Sequence, residues 1–553
     1  MFRLLLAAVY ASLVCSKTVS YDFSIGWVTA APDGYARPVM GVNGQWPIPT
    51  IEADMGDTIV VTAHNNLGNE TTSLHFHGMF QKGSGIYDGA TAITACPIQP
   101  GDSYTYSFVA NPAGTHWYHS HDKGQYPDGL RGKMIIHDRN WENSLGIDSQ
   151  IYLSMSDWYH RQMPDIIKDY MSPSNTNGDL PSPDTILVND TRSAPQFKFG
   201  AGKKYLIRIS NIGGLACGQF HIQGYTLKVV EMDGVQIQPS NADTIVLCAG
   251  QTIGVVVQGK TNPMGGANYI VKMTTDMLTG NIPSESARTV IGKLIYNLLG
   301  SIIDFITDIL TFNWQPASTF DDFSAKPLDG QKLLSPVDNK IELATNQTYF
   351  SGIGTRIGMG AQPWVPAKVP SLYTALTTGS NAMDPATYGV GVEPHVVKSG
   401  QVIQIHYQNT HPYSHPMHLH GHVFQIVAKG SGAWNGVESS LPNIPAKRDV
   451  AVVAANGYLV IRFKADNPGV WLFHCHIDLH LVGGMAATII EAPDLAQGIL
   501  SVPAAGISNC QKGNRLYSGN CAGDQGAISA SDSASKCNTV LNSDGNNKGG
   551  LIG

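Results

Sequence analysis

Histidine is concentrated in four short blocks of this sequence, which together with His480 hold ten of its nineteen histidines. The blocks read His75-Phe-His77, His119-Ser-His121, His415-Pro-Met-His418-Leu-His420 and His474-Cys475-His476, with His480 just after the last. Residues two apart on a strand point to the same face, so each His-x-His pair can direct two imidazoles toward one point. Four such pairs supply nitrogen ligands for three metal ions. Imidazole with a thiolate, and without a carboxylate cage, favours copper or zinc.

Cys475 adds a separate mononuclear site. With His415 and His480 it makes the His₂Cys set that is typical of blue-copper electron-transfer sites, and Met485 is the candidate for the weak axial ligand. A thioether at that position should lower the reduction potential relative to an apolar residue. The alternative, zinc sites or hydrogen-bonded core histidines, would have to hold for all four pairs and the cysteine together.

The elements that position these blocks are expected to be strands. The chain has 553 residues, only 14% of them charged, with 59 Gly and 31 Pro, which favours short strands joined by tight turns. This length predicts several cores, and we expect an all-β protein with domains at 17–145, 146–325 and 326–500. The histidine blocks fall in the first and third of these domains.

Three further segments depart from this pattern. Residues 1–16 have a basic residue, an apolar run too short to span a bilayer and a small-residue end, which predicts a secretory signal peptide. An apolar stripe at helical spacing predicts an amphipathic helical insert near 298–312. Residues 501–553 are expected to form a flexible tail. We expect a secreted protein, or one in the secretory-pathway lumen, without a membrane span.

The eight cysteines fit an oxidising compartment. Cys15 would leave with the signal peptide, and Cys475 is reserved as a metal ligand. Cys217 and Cys248 lie in one domain and could pair locally, but the connectivity of the rest is open. Acceptor sequences for N-glycosylation at Asn69, Asn189 and Asn346 fit the same compartment. The remaining cysteines, expected in disulfides, are Cys96, Cys217, Cys248, Cys510, Cys521 and Cys537.

The net charge of −7 and the lack of a Lys/Arg cluster exclude nucleic acid as a partner.

The motifs HFHG, HWYHSH, HPMHLHGH and HCHIDLH resemble those of the multicopper oxidases, the group of laccases, ascorbate oxidases and ferroxidases, and the resemblance covers about residues 20–495. It implies three cupredoxin-like domains, reduction of dioxygen to water, and four copper ions, with a cluster between the first and third domains. His415, Cys475 and His480 would bind type 1 copper, with Met485 axial, and His75 and His418 would bind type 2 copper. The type 3 pair would use His77, His119, His121, His420, His474 and His476.

The resemblance also implies acids that deliver protons to the cluster. Asp88 and Asp478 occupy positions that resemble those acids, and such acids are needed because dioxygen takes up protons together with electrons. The alternative is that Asp88 is only a turn residue and that Asp478 is only a solvated side chain.

The substrate is a separate question. Segments at 123–132 and 463–471 resemble the iron-oxidising branch of the family. That branch uses a glutamate in the second domain, where this chain has Leu180 next to Asp179, whereas Asp184 aligns with the acid that contacts phenols in laccases. We therefore expect a laccase-like oxidase of phenolic or naphtholic small molecules, in pigment or secondary-metabolite synthesis. The alternatives are a ferroxidase and a non-catalytic copper-binding or electron-transfer protein.

Overall fold

The structure is a computed structural model, which describes residues 16–261, 263, 266–296 and 318–537. The predicted signal peptide up to residue 15, the helical insert near 298–312 and the chain beyond residue 537 lie outside the described residues.

Two four-stranded sheets, with strand orders β2-β1-β4-β6 and β3-β8-β7-β5, form the first β-sandwich. Along β4, buried residues alternate with partly exposed ones, which is typical of a strand with one face on a core. The strand β5, with the first histidine block, pairs with β7, which ends at the second block. The strands β1 to β8 are Thr18–Ala30, Arg37–Val42, Ile51–Asp54, Thr58–Asn65, His75–His77, Ser103–Val109, Gly114–His119 and Arg131–His137.

The second sandwich has a six-stranded sheet, β10-β9-β12-β17-β14-β15, and a five-stranded sheet, β11-β19-β18-β13-β16. Its apolar inner faces join those of the third sandwich in one continuous core. The strands β9 to β19 are Ser149–Trp158, Thr185–Val188, Phe197–Lys198, Lys204–Asn211, Gly218–Ile222, Leu227–Met232, Val235–Ala242, Thr244–Leu247, Thr252–Gln258, Ala267–Met273 and Thr289–Ile295.

The third sandwich has two five-stranded sheets, β20-β24-β29-β26-β27 and β23-β31-β30-β25-β28, and a hairpin, β21-β22. In the second of these sheets, β25 with the third histidine block pairs with β30, which ends at Cys475. The strands β20 to β31 are Asn339–Ala344, Asn346–Phe350, Gly354–Gly358, Pro394–Val397, Val402–Gln408, His415–Leu419, Phe424–Ser431, Ala446–Arg448, Val450–Val453, Gly457–Lys464, Gly469–Cys475 and Ala486–Glu491.

The described helices are short and lie between or after these strands. The prediction of an all-β fold is thus confirmed. The domain boundaries remain predictions. Helices α1 to α7 are Arg139–Ser144, Met163–Tyr170, Ser371–Thr377, Asp478–Val482, Pro493–Ile499, Ala504–Lys512 and Ala530–Lys536.

The start of the predicted flexible tail is folded in the described residues. It forms α6 and α7, and it packs against the first and third sandwiches in an apolar cluster. Two disulfides, Cys96–Cys510 and Cys521–Cys537, cross-link it, and these covalent bonds compensate for the low apolar content from which the tail was predicted.

The other cysteines agree with the sequence prediction. Cys217 and Cys248 form a disulfide within the second sandwich, and Cys475 is free and buried. In the described part of the chain, no helix combines the length and the apolar character that crossing a bilayer requires.

We expect the two disulfides of the C-terminal segment to contribute unequally to stability. Cys96–Cys510 joins residues 414 apart in the chain, and Cys521–Cys537 joins residues 16 apart. In the chain-entropy account, replacing the first pair by alanine costs about 3 kcal/mol more in unfolding free energy than replacing the second. Thermal melts of the two double variants test this expectation. Equal melting temperatures would contradict it.

Candidate metal centre

The histidine blocks meet where the first and third sandwiches face each other. Register brings His75 opposite His119 on β5 and β7, and His418 opposite His474 on β25 and β30. Each pair of strands thereby presents imidazoles from one face of its sheet, and the two faces are opposed. The histidines of all four blocks are buried.

Eight of these rings form one cluster. The Nε2 atoms of His420 and His474 are 3.1 Å apart, and Nε2 of His476 is 3.2 Å from Nδ1 of His77. Groups of rings that can each hold one ion include His121 with His420 and His474, and His75 with His418 and His420. The structure thus brings together all of the type 2 and type 3 ligands expected from the sequence. They are His75, His77, His119, His121, His418, His420, His474 and His476.

Hydrogen bonds to the backbone orient four of these rings. In each, Nδ1 lies 2.8–2.9 Å from a main-chain carbonyl oxygen, so that Nε2 is left for a metal. Nε2 of His75, His119 and His418 is buried without a hydrogen-bond partner, which is costly unless a metal binds there. The oriented rings and their acceptors are His75 with Asp88, His119 with Ser120, His418 with Asp449 and His474 with Cys475.

The electrostatics of the cluster favour neutral imidazole, the form that binds copper. Burial, and then the neighbouring rings, lower the pKa values of five of the histidines well below the usual range. The affected residues are His77, His119, His121, His418 and His474.

Cys475, His415 and His480 form the mononuclear set, next to the cluster. The Cys475 Sγ is 3.6 Å from Nδ1 of both His415 and His480, and these two nitrogens are 3.2 Å apart. Burial raises the pKa of the Cys475 thiol, so the thiolate needs a bound cation to form. Met485 is buried beside them, with its amide donating to the His480 carbonyl (2.9 Å) and its carbonyl accepting from the Cys475 amide (3.1 Å).

Asp88 lies inside the cluster. Its Oδ2 is 2.9 Å from Nδ1 of His420, and its Oδ1 is 3.3 Å from Nδ1 of His75. Burial alone would raise the pKa of Asp88, but the His420 and His75 rings outweigh burial and lower it. The carboxylate is therefore ionised and orients the His420 ring, whereas the His75 ring is oriented by the Asp88 carbonyl.

Asp478, at the start of α4, has the opposite character. It is buried, and neither of its carboxyl oxygens has a hydrogen-bond partner among the described residues. Burial, with Asp128 and Asp157 nearby, raises its pKa well above the usual range, so the group holds a proton. It lines a small cavity together with Tyr126 and the rings of His119, His121, His474 and His476. A protonated acid in this place can supply protons to the cluster.

The second sandwich holds Asp184 and Asp179, the acids that the sequence analysis considered for substrate binding. Asp184 accepts the His160 amide at 2.7 Å, and its side chain is 44% exposed. Leu180 is buried, with its amide donating to Thr279 Oγ1 at 2.8 Å, whereas the neighbouring Asp179 is exposed. The contacts of Asp184 are thus with the chain just after β9, because its own amide also donates to the Trp158 carbonyl at 2.8 Å.

The sequence analysis missed Asp449, whose carbonyl accepts from His418 and whose carboxylate lies 3.6 Å from His77 Nε2. A signal was present, since Arg448 and Asp449 are two charges directly before a buried strand of apolar residues. Such a pair must be satisfied inside the protein.

Comparison with known proteins identifies the family. Three family profiles, all described as multicopper oxidase, match residues 24–141, 149–297 and 364–495. The chain belongs to the multicopper oxidase family. It is an oxidase with dioxygen as the electron acceptor, and it binds four copper ions, one of type 1, one of type 2 and two of type 3. The buried, metal-competent histidine groups fit these copper sites.

Its relatives in sequence carry names that refer to iron. The chain is 38% identical over 524 residues to the iron transport multicopper oxidase fetC of Epichloe festucae, with 93% of this chain and 82% of the relative aligned. It is also 38% identical to the iron transport multicopper oxidase FET3 of Gibberella zeae, with 92% and 82% aligned.

Solved structures give the same fold. The crystal structure of Fet3p, described as a multicopper oxidase that functions in iron import, matches with a TM-score of 0.87 at 30% identity, over 93% of this chain and 100% of that chain. The laccase from Botrytis aclada matches with a TM-score of 0.75 at 28% identity, over 90% and 92%. The prediction of three cupredoxin-like domains is confirmed.

These comparisons correct one prediction. The expectation of a laccase-like phenol oxidase is wrong, because the relatives that align over nearly the whole chain are iron transport oxidases and the Fet3p structure matches better than the laccase. The expected aromatic substrate rested on Asp184, whose carboxylate accepts a hydrogen bond from the His160 amide. The expected link to pigment or secondary-metabolite synthesis depended on that substrate and falls with it.

Cys475→Ser should abolish the intense blue thiolate-to-copper absorption, because a hydroxyl is a poor substitute for the thiolate ligand. The eight histidines of the cluster are untouched, so the other coppers should still bind. Visible and electron paramagnetic resonance spectra with a copper count test both parts, and an unchanged blue band would contradict the assignment of this cysteine.

Met485→Leu should raise the reduction potential of type 1 copper, because the variant removes a weak axial thioether. A redox titration of the blue band measures the change. A lower or unmoved potential would mean that Met485 is not the axial ligand.

Proposed function

We propose that this protein is a ferroxidase, which oxidises Fe(II) to Fe(III) and passes the electrons to dioxygen. The observation that carries the proposal is the 38% identity, over 93% of the chain, to a relative named iron transport multicopper oxidase. For each dioxygen, four Fe(II) give up one electron each, four protons are taken up, and two waters form.

The proposal assigns each copper to a set of this chain's residues. Type 1 copper would be held by His415, Cys475, His480 and Met485, and type 2 copper by His75 and His418. The interatomic distances within the buried groups support these sets. The type 3 pair would be held by His121, His420 and His474, which form one buried group, and by His77, His119 and His476, in which His77 lies near both other rings.

When bound, copper supplies the one-electron redox chemistry and the reduction of dioxygen. The protein's part is to connect the sites. We call the type 1 site the entry site, because electrons from the substrate would enter there. Cys475 lies between His474 and His476 in the chain, so this ligand of the entry site is covalently joined to two ligands of the cluster. His480, on α4, completes the entry site.

We place Fe(II) near the segment 170–180. Tyr170, at the end of α2, packs against Gly483, which is three residues after His480. The segment then runs outward to Asp179, whose backbone is held by Asn175 through hydrogen bonds of 2.9 and 3.0 Å, and whose carboxylate is exposed. Carboxylate oxygen is a suitable ligand for a divalent cation. Asp179 would thus supply the Fe(II)-binding carboxylate that Leu180 does not have.

The two buried acids, Asp478 and Asp88, have different parts in proton transfer to the cluster. Asp478 holds a proton beside the cavity at the cluster, and Asp88 fixes the His420 ring with its ionised carboxylate and the His75 ring with its carbonyl. The pairing of a protonated with an ionised acid in one site is typical of enzymes that manage proton transfer.

We also propose that the protein works in the secretory pathway or outside the cell. The signal-like start of the sequence supports this location, and so do the three disulfides, which persist only in an oxidising compartment.

Asp179→Ala should raise the KM for Fe(II) about tenfold with little change in the blue spectrum. It removes a carboxylate from the entry face, the surface at 170–180 where we place Fe(II), and it removes no copper ligand. Oxygen uptake with Fe(II), together with anaerobic reduction of the blue band in a stopped-flow instrument, measures the change.

The matched control is Asp169→Ala. Asp169 is an exposed carboxylate on the neighbouring helix, paired with Arg161 at 2.7 Å. It should leave the KM for Fe(II) unchanged. Loss of iron turnover on Asp184→Ala but not on Asp179→Ala would contradict the proposed entry face, and a wild-type protein without Fe(II) turnover would contradict the ferroxidase itself.

A further inference from the structure

None of the proposed copper ligands lies in the second sandwich, yet one of its turns touches the cluster. This turn follows Cys248, which is bonded to Cys217, and leads into β17. A Cβ on Gly250 would come within 2.6 Å of the His476 ring, so the backbone of the turn lies directly on a type 3 ligand. The next residue, Gln251, donates Nε2 to the carbonyl of Val450 in the third sandwich at 3.0 Å.

A buried ion pair joins the same two sandwiches. Asp233, in the turn between β14 and β15, accepts Nε and Nη2 of Arg448 at 2.7 and 2.9 Å. The two side chains are 1% and 2% exposed. Asp233 Oδ1 also accepts the Thr252 amide at 2.8 Å, which ties the pair to the turn at Gly250. This two-pronged contact between a guanidinium and a carboxylate is geometrically strict.

The segment held in this way orients a copper ligand. Arg448 is followed by Asp449, whose carbonyl accepts His418 Nδ1 at 2.9 Å and the Leu419 amide at 3.2 Å. Val450, next in the chain, pairs in register with His418. The carbonyl that determines which nitrogen of His418 faces the cluster therefore lies between two residues that the second sandwich holds, Arg448 through Asp233 and Val450 through Gln251.

We propose that Asp233 is a positioning residue for type 2 copper: through Arg448 it holds the Asp449 carbonyl that orients His418. The second sandwich thus acts on the cluster without supplying a ligand. Hydrogen-bond partners of a ligating histidine fix its tautomer and its ring orientation, and their loss typically weakens metal binding about ten- to a hundredfold.

The test is Asp233→Asn, which keeps the size of the side chain and removes its charge. We expect type 2 copper to bind about ten- to a hundredfold more weakly, and its electron paramagnetic resonance hyperfine splitting to change. The blue band and its anaerobic reduction by Fe(II) should stay as in the wild type, because the type 1 ligands do not contact Asp233. Unchanged type 2 affinity and splitting would overturn the proposal.

Asp322→Asn is the matched control. Asp322 binds the same guanidinium, at Nη1 and 3.1 Å, but it pairs on its other side with Lys429 and not with the turn at Gly250. Its type 2 signal should match the wild type. A change as large as that of Asp233→Asn would mean that any loss of charge around Arg448 disturbs the site, which would overturn the specific role of Asp233.

Gln251→Ala provides the test if Asp233→Asn does not fold, since it removes a neutral hydrogen bond to the same segment. A smaller shift of the same type 2 signal supports the proposal, and an unshifted signal overturns it. The inference rests on the proposed assignment of His418 to type 2 copper. The variant His418→Ala tests that assignment separately from the positioning role of Asp233. If that variant keeps its type 2 copper, the assignment fails. If it loses that copper while Asp233→Asn keeps an unaltered type 2 site, only the positioning role fails.

Discussion

The alternation of side chains along β30 determines how the two copper centres are joined. Consecutive residues of a strand point to opposite faces, so Cys475 projects to one side while His474 projects to the other. Pairing with β25 continues this pattern, because Met417 lies opposite Cys475 and His418 lies opposite His474. One strand end thus serves both the entry site and the cluster. With copper bound, the chain on either side of Cys475 would give electrons a covalent route to the cluster, which no arrangement of separate strands would provide.

Burial is the second constraint, and it acts on every ligand. A buried imidazole stays neutral, since charge is costly in an interior of low polarity, and the neutral ring keeps a lone pair for copper. Burial also requires each ring nitrogen to have a partner. The protein meets this requirement with backbone carbonyls, such as those of Ser120 and Asp449, and with the carboxylate of Asp88. Nε2 of His75, His119 and His418 has no such partner among the described residues, and a bound metal would satisfy it.

The substrate face is less determined by the family pattern than the cluster is. The alignment with iron transport oxidases extends along nearly the whole chain, yet the glutamate expected from that branch is replaced by Leu180, whose side chain joins the core. A hydrogen bond from its amide to Thr279 anchors the segment there. The change moves the available carboxylate one residue along, to exposed Asp179. Iron oxidation in this chain would then use a binding face that differs in detail from that of its relatives.

The sequence alone determined the chemistry of the metal sites. His-x-His spacing, a lone cysteine between two histidines and an even set of other cysteines follow from residue type and strand period, which are local properties. The nature of the substrate did not follow, because the sequence favoured Asp184 by its match to laccases and does not show where an acid lies relative to the type 1 site. Tertiary structure decided what depends on contacts between distant residues. It folded the start of the predicted tail through a disulfide between residues 414 apart, and it brought Asp233 to Arg448, 215 residues away. Such contacts form only when separate sandwiches pack together, and no short-range pattern in the chain records them.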